Sequence, residues 1–256
     1  MKYLVIGPAS MGIFSLIGTL KRNEENLQII KEISGSSAGA ILGLFLALNI
    51  HIDKILEMCL ELDITSMMNI NITTFLTSYG FVDIEPVKNK LIEMCNCNPK
   101  FKELSKKLYV SAYCLNTNKT EYFSCDTHPD MYVIDAVCMS MSIPVVFESP
   151  GYNGYNYIDG CFYEDYPLQP FLDKKDHEIT CIKIKTNRNF KSEINSAVDF
   201  FECVILGMVS NRNIYTKKIK FLETKLENIN IFNFGMSYEE KVKLYTLGYN
   251  THTTKH

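Results

Sequence analysis

Ser37 stands in Gly35-Ser36-Ser37-Ala38-Gly39, a G-x-S-x-G spacing that can present a hydroxyl as a nucleophile. The β-branched, apolar run before it, with Ile29, Ile30 and Ile33, reads as a strand. The run after it, up to Leu48, reads as a helix. Gly35 and Gly39 lack side chains, so strand and helix can approach closely while the serine is held in a sharp turn. Ser37 then lies at the first turn of the helix, where unpaired backbone N–H groups and the positive dipole end favour an oxyanion forming beside it. A second reactive residue, Asp159, is followed by Gly160 and ends the short extended pattern Tyr155 to Ile158.

Positioning these groups requires an α/β framework. Lys2 to Ile6 reads as a short central strand, Gly7-Pro8-Ala9-Ser10-Met11-Gly12 as a turn, and the following apolar stretch through Leu20 as a helix. Leu27 to Ile33 reads as the second strand, Ser37 to Leu48 as the elbow helix and His51 to Leu62 as an amphipathic helix. Periodicity fails from Asp63 to Phe81, which fits either a cap or a packed loop. Glu85 to Met94 reads as a helix with Pro86 in its first turn; Leu108 to Leu115 and Thr120 to Cys125 read as paired strands. Val133 to Met141 reads as a helix, Val145 to Phe147 as extended and Glu178 to Lys185 as a strand. The remainder reads as helical to about Asn228, with a strand at Ile229 to Phe234 and a last helix from Tyr238 to Leu247.

Strands alternating with helices predict a three-layer α/β/α sandwich with a largely parallel central sheet. Active sites in such sheets form at the carboxyl ends of strands, where Gly7, Ser37 and Asp159 all fall. One domain over residues 1–256 is expected, with a catalytic core over about 1–185 and C-terminal helices and a late strand over 186–256.

The chain has 256 residues, 46% hydrophobic and 21% charged, enough for one sizeable core. With a net charge of −3 and scattered Lys and Arg, it lacks the basic footprint of a nucleic-acid binder. Nine cysteines are spread without zinc or thioredoxin spacing and read as reduced thiols, which predicts a cytoplasmic setting. Tyr3 to Leu20 carries no formal charge, but Gly7-Pro8, Gly12 and Gly18 interrupt it. Strand, loop and helix are expected there rather than a signal peptide or an anchor.

Several pieces together resemble the patatin-like phospholipases: a glycine loop after the first strand, G-x-S-x-G after the next, and Asp159-Gly160 about 120 residues later. Met139-Ser140-Met141-Ser142-Ile143-Pro144-Val145-Val146-Phe147 resembles the family's A-S-x-A-x-P-x-x-F segment, and Asp159-Gly160-Cys161 with Asp165-Tyr166-Pro167 resembles D-G-G with N-x-P. Ser237-Tyr238-Glu239-Glu240 to Leu247-Gly248-Tyr249 is similar to a closing helix of bacterial-type members. The resemblance implies an acyl hydrolase of lipid or phospholipid esters with a Ser and Asp dyad. Ser37 would attack the carbonyl and Asp159 would accept its proton. It implies that backbone N–H groups of the Gly7 to Gly12 loop, namely those of Gly7, Ala9, Ser10 and Gly12, hold the oxyanion with help from Ala38. No metal or cofactor is implied.

The family loop is G-G-G-x-[K/R]-G, whereas here Pro8 and Ala9 replace two glycines and Met11 the basic residue. Proline has no N–H to donate, which opens a second reading: a degenerate, lipid-binding or scaffolding member. A Ser-His-Asp esterase would instead need a histidine after the acid, for which His177, His252 and His256 qualify by order. Transient membrane contact is expected if the substrate is a lipid. Lys217, Lys218, Lys220 and Lys225 with Ile214, Ile219, Leu222 and Leu226 would form either a basic amphipathic helix or the solvated face of a packed one. The sequence carries no signal of oligomeric state.

Overall fold

The computed structural model describes residues 1–186, 193–195, 200, 203–204, 207 and 215–251. The first strand, β1 (Tyr3–Ile6), lies at the centre of the sheet because Leu4, Val5 and Ile6 are apolar and buried on both faces. Leu4 and Ile6 join the large core, while Val5 points to the other face, into a smaller one with Tyr166, Leu168, Phe171, Ile179, Cys181 and Ile219. On one side β1 pairs in parallel with β2 (Glu32–Ser36), Ile6 opposite Gly35.

The connection between them holds α1 (Ile13–Arg22), and α2 (Ala38–Ala47) follows β2 directly. The next elements are α3 (Ile52–Glu61), α4 (Ile72–Ser78), β3 (Gly80–Val82) and α5 (Glu85–Cys95). Then come β4 (Lys107–Cys114), β5 (Lys119–Phe123), α6 (Val133–Met141) and β6 (Val145–Phe147). Strands β7 (Gly151–Tyr152), β8 (Tyr155–Asp159), β9 (Ile179–Thr186) and β10 (Lys220–Leu226) precede the last helix, α7 (Tyr238–Tyr249).

The main sheet runs β10-β9-β1-β2-β4-β8-β7, with β5 also on β4. Strands β10, β9, β1, β2 and β4 are mutually parallel; β5, β8 and β7 join antiparallel, so the sheet is largely parallel at its centre and mixed at one edge. A separate two-stranded ladder pairs β3 with β6. Helices α1, α2 and α6 bury apolar faces in the large core, and α7 docks on α1, where the Thr19 hydroxyl donates to the Gly248 carbonyl at 3.2 Å. The expected α/β sandwich is therefore found, and the segment Tyr3 to Leu20 is β1, a loop and α1.

Three expectations are corrected. The second strand starts at Glu32, not Leu27: residues Glu24–Ile29 form a 3-10 helix and Ile29 is exposed, so its apolar side chain is not part of the core run. Lys220–Leu226 is a strand rather than a helix, because Leu222, Thr224 and Leu226 are buried at every second position. Ile229 to Phe234 is a series of turns whose Ile231 carbonyl accepts the Met11 N–H at 3.0 Å. The basic amphipathic helix accordingly does not form over 215–226, and Lys217 is instead paired with Asp176 at 2.8 Å. Ile214 and most of the expected helix after β9 lie outside the described residues.

Candidate active site

Ser37 joins β2 to α2 with φ 55° and ψ −126°, a conformation that side-chain-bearing residues rarely adopt. The glycines make this turn possible. A Cβ on Gly35 would lie 2.4 Å from the Gly39 carbonyl oxygen, and a Cβ on Gly39 would lie 2.3 Å from that of Ile6. Neither contact can relax without separating α2 from the sheet. The strained turn is braced from a third element: the Ser37 N–H donates to the Ser140 hydroxyl on α6 at 2.9 Å.

Asp159 ends β8, antiparallel to β4, with Ala112 opposite. Its N–H donates to the Ser142 carbonyl at 2.9 Å, just past the end of α6. Gly160 is required because a Cβ there would meet the Ser111 carbonyl at 2.3 Å. The chain then turns so that the Cys161 N–H donates to Asp159 Oδ1 at 2.8 Å. Ser37 and Asp159 are both buried, and burial pushes the Asp159 carboxyl up to about 6. The facing Ser37 hydroxyl and the Cys161 N–H act in the opposite direction, but less strongly. Burial and the neighbouring Asp159 charge push the Cys161 thiol well above the ordinary range, which keeps it protonated and unreactive.

The loop after β1 supplies fewer donors than its spacing implied. The Gly7 N–H donates to the Ile182 carbonyl at 2.9 Å and that of Gly12 to the Ala9 carbonyl at 2.8 Å. These two expected oxyanion donors are spent on continuing the sheet and closing the turn. Met11 also has its N–H engaged, and its side chain is core. The N–H groups of Ala9, Ser10 and Ala38 have no acceptor among the described residues, and the Ser10 hydroxyl is buried without a partner among them. Ser10 sits at φ 47°, a second strained residue beside the elbow.

The histidines are elsewhere. His177 lies in the 3-10 turn Asp176–Glu178 that precedes β9, at the amino end of a sheet whose carboxyl end carries Ser37. By register Ile179 is level with Glu32, so strand and flanking turn separate His177 from Ser37 by about seven residues, on the order of 20 Å. His128 is half-buried with its ring against Phe123 and Tyr152; His51 is exposed and caps α3. His252 and His256 lie outside the described residues. Among the described residues, Glu24, His51 and Asp53 have spacing that could hold a metal, but Lys21 already bridges the two carboxylates at 2.9 and 2.8 Å.

Ser140 and Ser142 enter from the sequence only as part of the segment that resembles A-S-x-A-x-P-x-x-F, with no bonding role assigned to them. Neither that resemblance nor the spacing of two serines at the end of an apolar helix says which backbone they meet.

A serine at a strained strand-to-helix turn, facing a buried carboxylate at the carboxyl ends of a parallel sheet, defines a hydrolase-type site. The family model for patatin-like phospholipase matches residues 4–172, a span that holds the loop, the elbow and Asp159. The chain belongs to the patatin-like phospholipase family, and by that membership is a lipid acyl hydrolase. It is 25% identical over 272 residues to the uncharacterized protein R571 of Acanthamoeba polyphaga mimivirus, covering 97% of this chain and 91% of that one. It is 21% identical to the probable lipid hydrolase 463L of Invertebrate iridescent virus 6, covering 95% and 88%. The fold is shared with VipD from Legionella pneumophila, with a TM-score of 0.66 at 16% identity over 100% of this chain and 68% of that one. It is also shared with the ExoU-SpcU complex of Pseudomonas aeruginosa, with a TM-score of 0.54 at 13% identity over 97% of this chain and 50% of the matched one. No helix among the described residues is long and apolar enough to cross a membrane.

Proposed function

We propose that the protein hydrolyses fatty acyl esters of lipids or phospholipids through a Ser37–Asp159 dyad and an acyl-enzyme. The observation that carries this reading is the Ser37 hydroxyl facing a buried carboxylate raised to about 6. A base in that range is mostly ionised at neutral pH yet basic enough to accept a proton during attack. Ser37 Oγ forms a bond to the ester carbonyl carbon as its proton passes to Asp159. The carbonyl oxygen becomes negative, and the N–H groups of Ala9, Ser10 and Ala38 are the donors available to hold it. Collapse of this intermediate breaks the ester C–O bond, and Asp159 returns the proton to the departing alcohol. Water, deprotonated by the same carboxylate, then attacks the acyl-serine, and its proton passes to Ser37 as the acid leaves.

The donors without an acceptor among the described residues speak against a member that lost turnover with Pro8, and the place of His177 speaks against a triad built on it. The test is a fluorophosphonate label followed by peptide mapping. An adduct on Ser37 is expected; a folded protein that takes up no label, or takes it up at another serine, overturns the assignment.

A further inference from the structure

The longest stretch without Asp, Glu, Lys or Arg after the elbow helix runs from Ile64 to Val82, bounded by Asp63 and Asp83. Within it, α4 buries no residue at all. Ile72 and Leu76 follow at i and i+4 on one face, 70% and 74% exposed; Tyr79, the left-handed residue that ends the helix, is 64% exposed, and Ile70, just before the helix, 75%. Such a stripe is not what holds the helix in place. Phe75, at i+3 from Ile72 and so at the edge of the same face, is half-buried and stacks on Phe81 with ring centroids 4.5 Å apart, and the Asn71 side chain caps the first turn. The helix is thus anchored along one edge of its apolar face, through Phe75, while Ile72 and Leu76 stay exposed.

The unit is also tied to the reactive groups. Strand β3 follows α4 and pairs with β6, Gly80 opposite Val145 and Val82 opposite Phe147, and the Ser149 N–H donates to the Ser78 carbonyl at 2.9 Å. Segment 145–149 lies a few residues beyond Ser142, whose carbonyl holds Asp159.

We infer that the exposed apolar side chains on and flanking α4, Ile70, Ile72, Leu76 and Tyr79, insert into the lipid surface from which the enzyme takes its substrate. The choice of occupant rests on the lipid-hydrolase reading above and on the absence of charge. A protein partner is normally met by an apolar centre with a charged or polar rim, whereas hydrocarbon penalises each charge by a few kcal/mol. Here the polar positions around the stripe, Asn71, Thr73, Thr74, Thr77 and Ser78, are all neutral. Attraction to anionic head groups is not what this face offers, so binding should be driven by apolar area and be insensitive to salt.

The chain has no tryptophan, so a single one reports its own site. In Leu76→Trp protein, phosphatidylcholine vesicles should shift the emission to the blue, and lipids brominated in the acyl chain should quench it. A tryptophan introduced by Tyr238→Trp, on exposed α7, should do neither. Ile72→Glu with Leu76→Glu should weaken vesicle partitioning at least tenfold at low and high salt alike, with turnover of soluble p-nitrophenyl butyrate unchanged. Repeating the binding in Ser37→Ala protein separates docking from catalysis: binding there stands even if Ser37 is not the nucleophile. No shift in Leu76→Trp protein, or full binding by the double glutamate variant, overturns the proposal. So does self-association in the absence of lipid that the double variant abolishes, which would assign the face to a second copy.

Discussion

The Ser37 N–H donates to the Ser140 hydroxyl across 2.9 Å, joining the elbow to α6, a hundred residues later in the chain. Two residues further on, the Ser142 carbonyl accepts the N–H of Asp159. One short segment therefore holds the backbones of both proposed catalytic residues, fixing hydroxyl and carboxylate relative to each other without touching a substrate.

Ser140→Ala should leave the Ser37 N–H buried and unpaired, at a cost of about 1–3 kcal/mol in stability. Because the elbow would lose a brace rather than a reacting group, kcat should fall about tenfold with KM little changed, and the pH at which activity is half-lost should stay that of wild type. Denaturant melts together with pH–rate profiles check this. A folded Ser140→Ala enzyme with wild-type kcat would show that the glycine contacts alone set the turn.

Asp159 makes a pH prediction of definite sign. Its carboxyl moves from an ordinary 3.8 to about 6 on folding, so the folded chain binds this proton more tightly than the unfolded chain. The stability it contributes is therefore full below about pH 4 and is lost as pH rises through about 6. Above that, burying the charge costs up to about 3 kcal/mol, at about 1.4 kcal/mol per pKa unit. Asp159→Asn should accordingly abolish acylation while raising stability at pH 8 and changing it little at pH 4. In wild type, kcat/KM should fall below about pH 6 with unit slope. Equal melts of the two proteins at both pH values would contradict the raised carboxyl.

The framework was legible where the pattern was local. The elbow lies between strand and helix because Gly35 and Gly39 make that approach sterically possible, and the helix Val133–Met141 follows directly from its apolar spacing. What was not legible depended on distant partners. Whether the N–H groups of Gly7 and Gly12 are free is decided by Ile182 and by the turn through Ala9, and the sequence does not display either bond. Lys220–Leu226 misled because lysines among leucines fit both a helical face and an alternating strand; pairing with β9 selects the strand. In α4, Ile72, Phe75 and Leu76 do fall at helical spacing, but over only seven residues and among threonines the period does not stand out from the aperiodic stretch around it.

The strain at Ser37 can be measured separately from its chemistry. Both Ser37→Ala and Ser37→Gly should lose turnover of p-nitrophenyl butyrate and fluorescent phospholipids. The glycine variant should be more stable than the alanine variant, since only glycine relaxes φ 55°, ψ −126°; the difference should be on the order of 1–3 kcal/mol less the entropy glycine adds to the unfolded chain. Comparing their melting midpoints tests this. Equal stabilities would mean that the turn is not strained.

His177→Ala should leave acylation unchanged, because the imidazole sits at the opposite end of the sheet from Ser37. Single-turnover rates with a chromogenic ester check it. A large loss in a folded variant would reinstate a histidine in the proton path.

Pro8→Gly bears on how the oxyanion is held. With the N–H groups of Gly7, Met11 and Gly12 bonded to carbonyls of the protein, those of Ala9 and Ser10 in this loop have no acceptor among the described residues, and neither has that of Ala38 in the elbow. Proline contributes none and fixes φ near −65°. Replacing it restores one N–H next to those of Ala9 and Ser10, and a single oxyanion donor is worth up to about 3 kcal/mol, or roughly a hundredfold in rate. The gain should appear in kcat and hardly in KM, because the donor acts chiefly once the carbonyl oxygen is negative. Glycine also loosens the unfolded chain, at a cost of about 1 kcal/mol in stability, which is smaller than the expected gain. Burst-phase kinetics on an activated ester separate the acylation step from release. A folded Pro8→Gly enzyme that acylates no faster would show that Ala9, Ser10 and Ala38 already saturate the oxyanion, and that the proline costs this catalyst nothing.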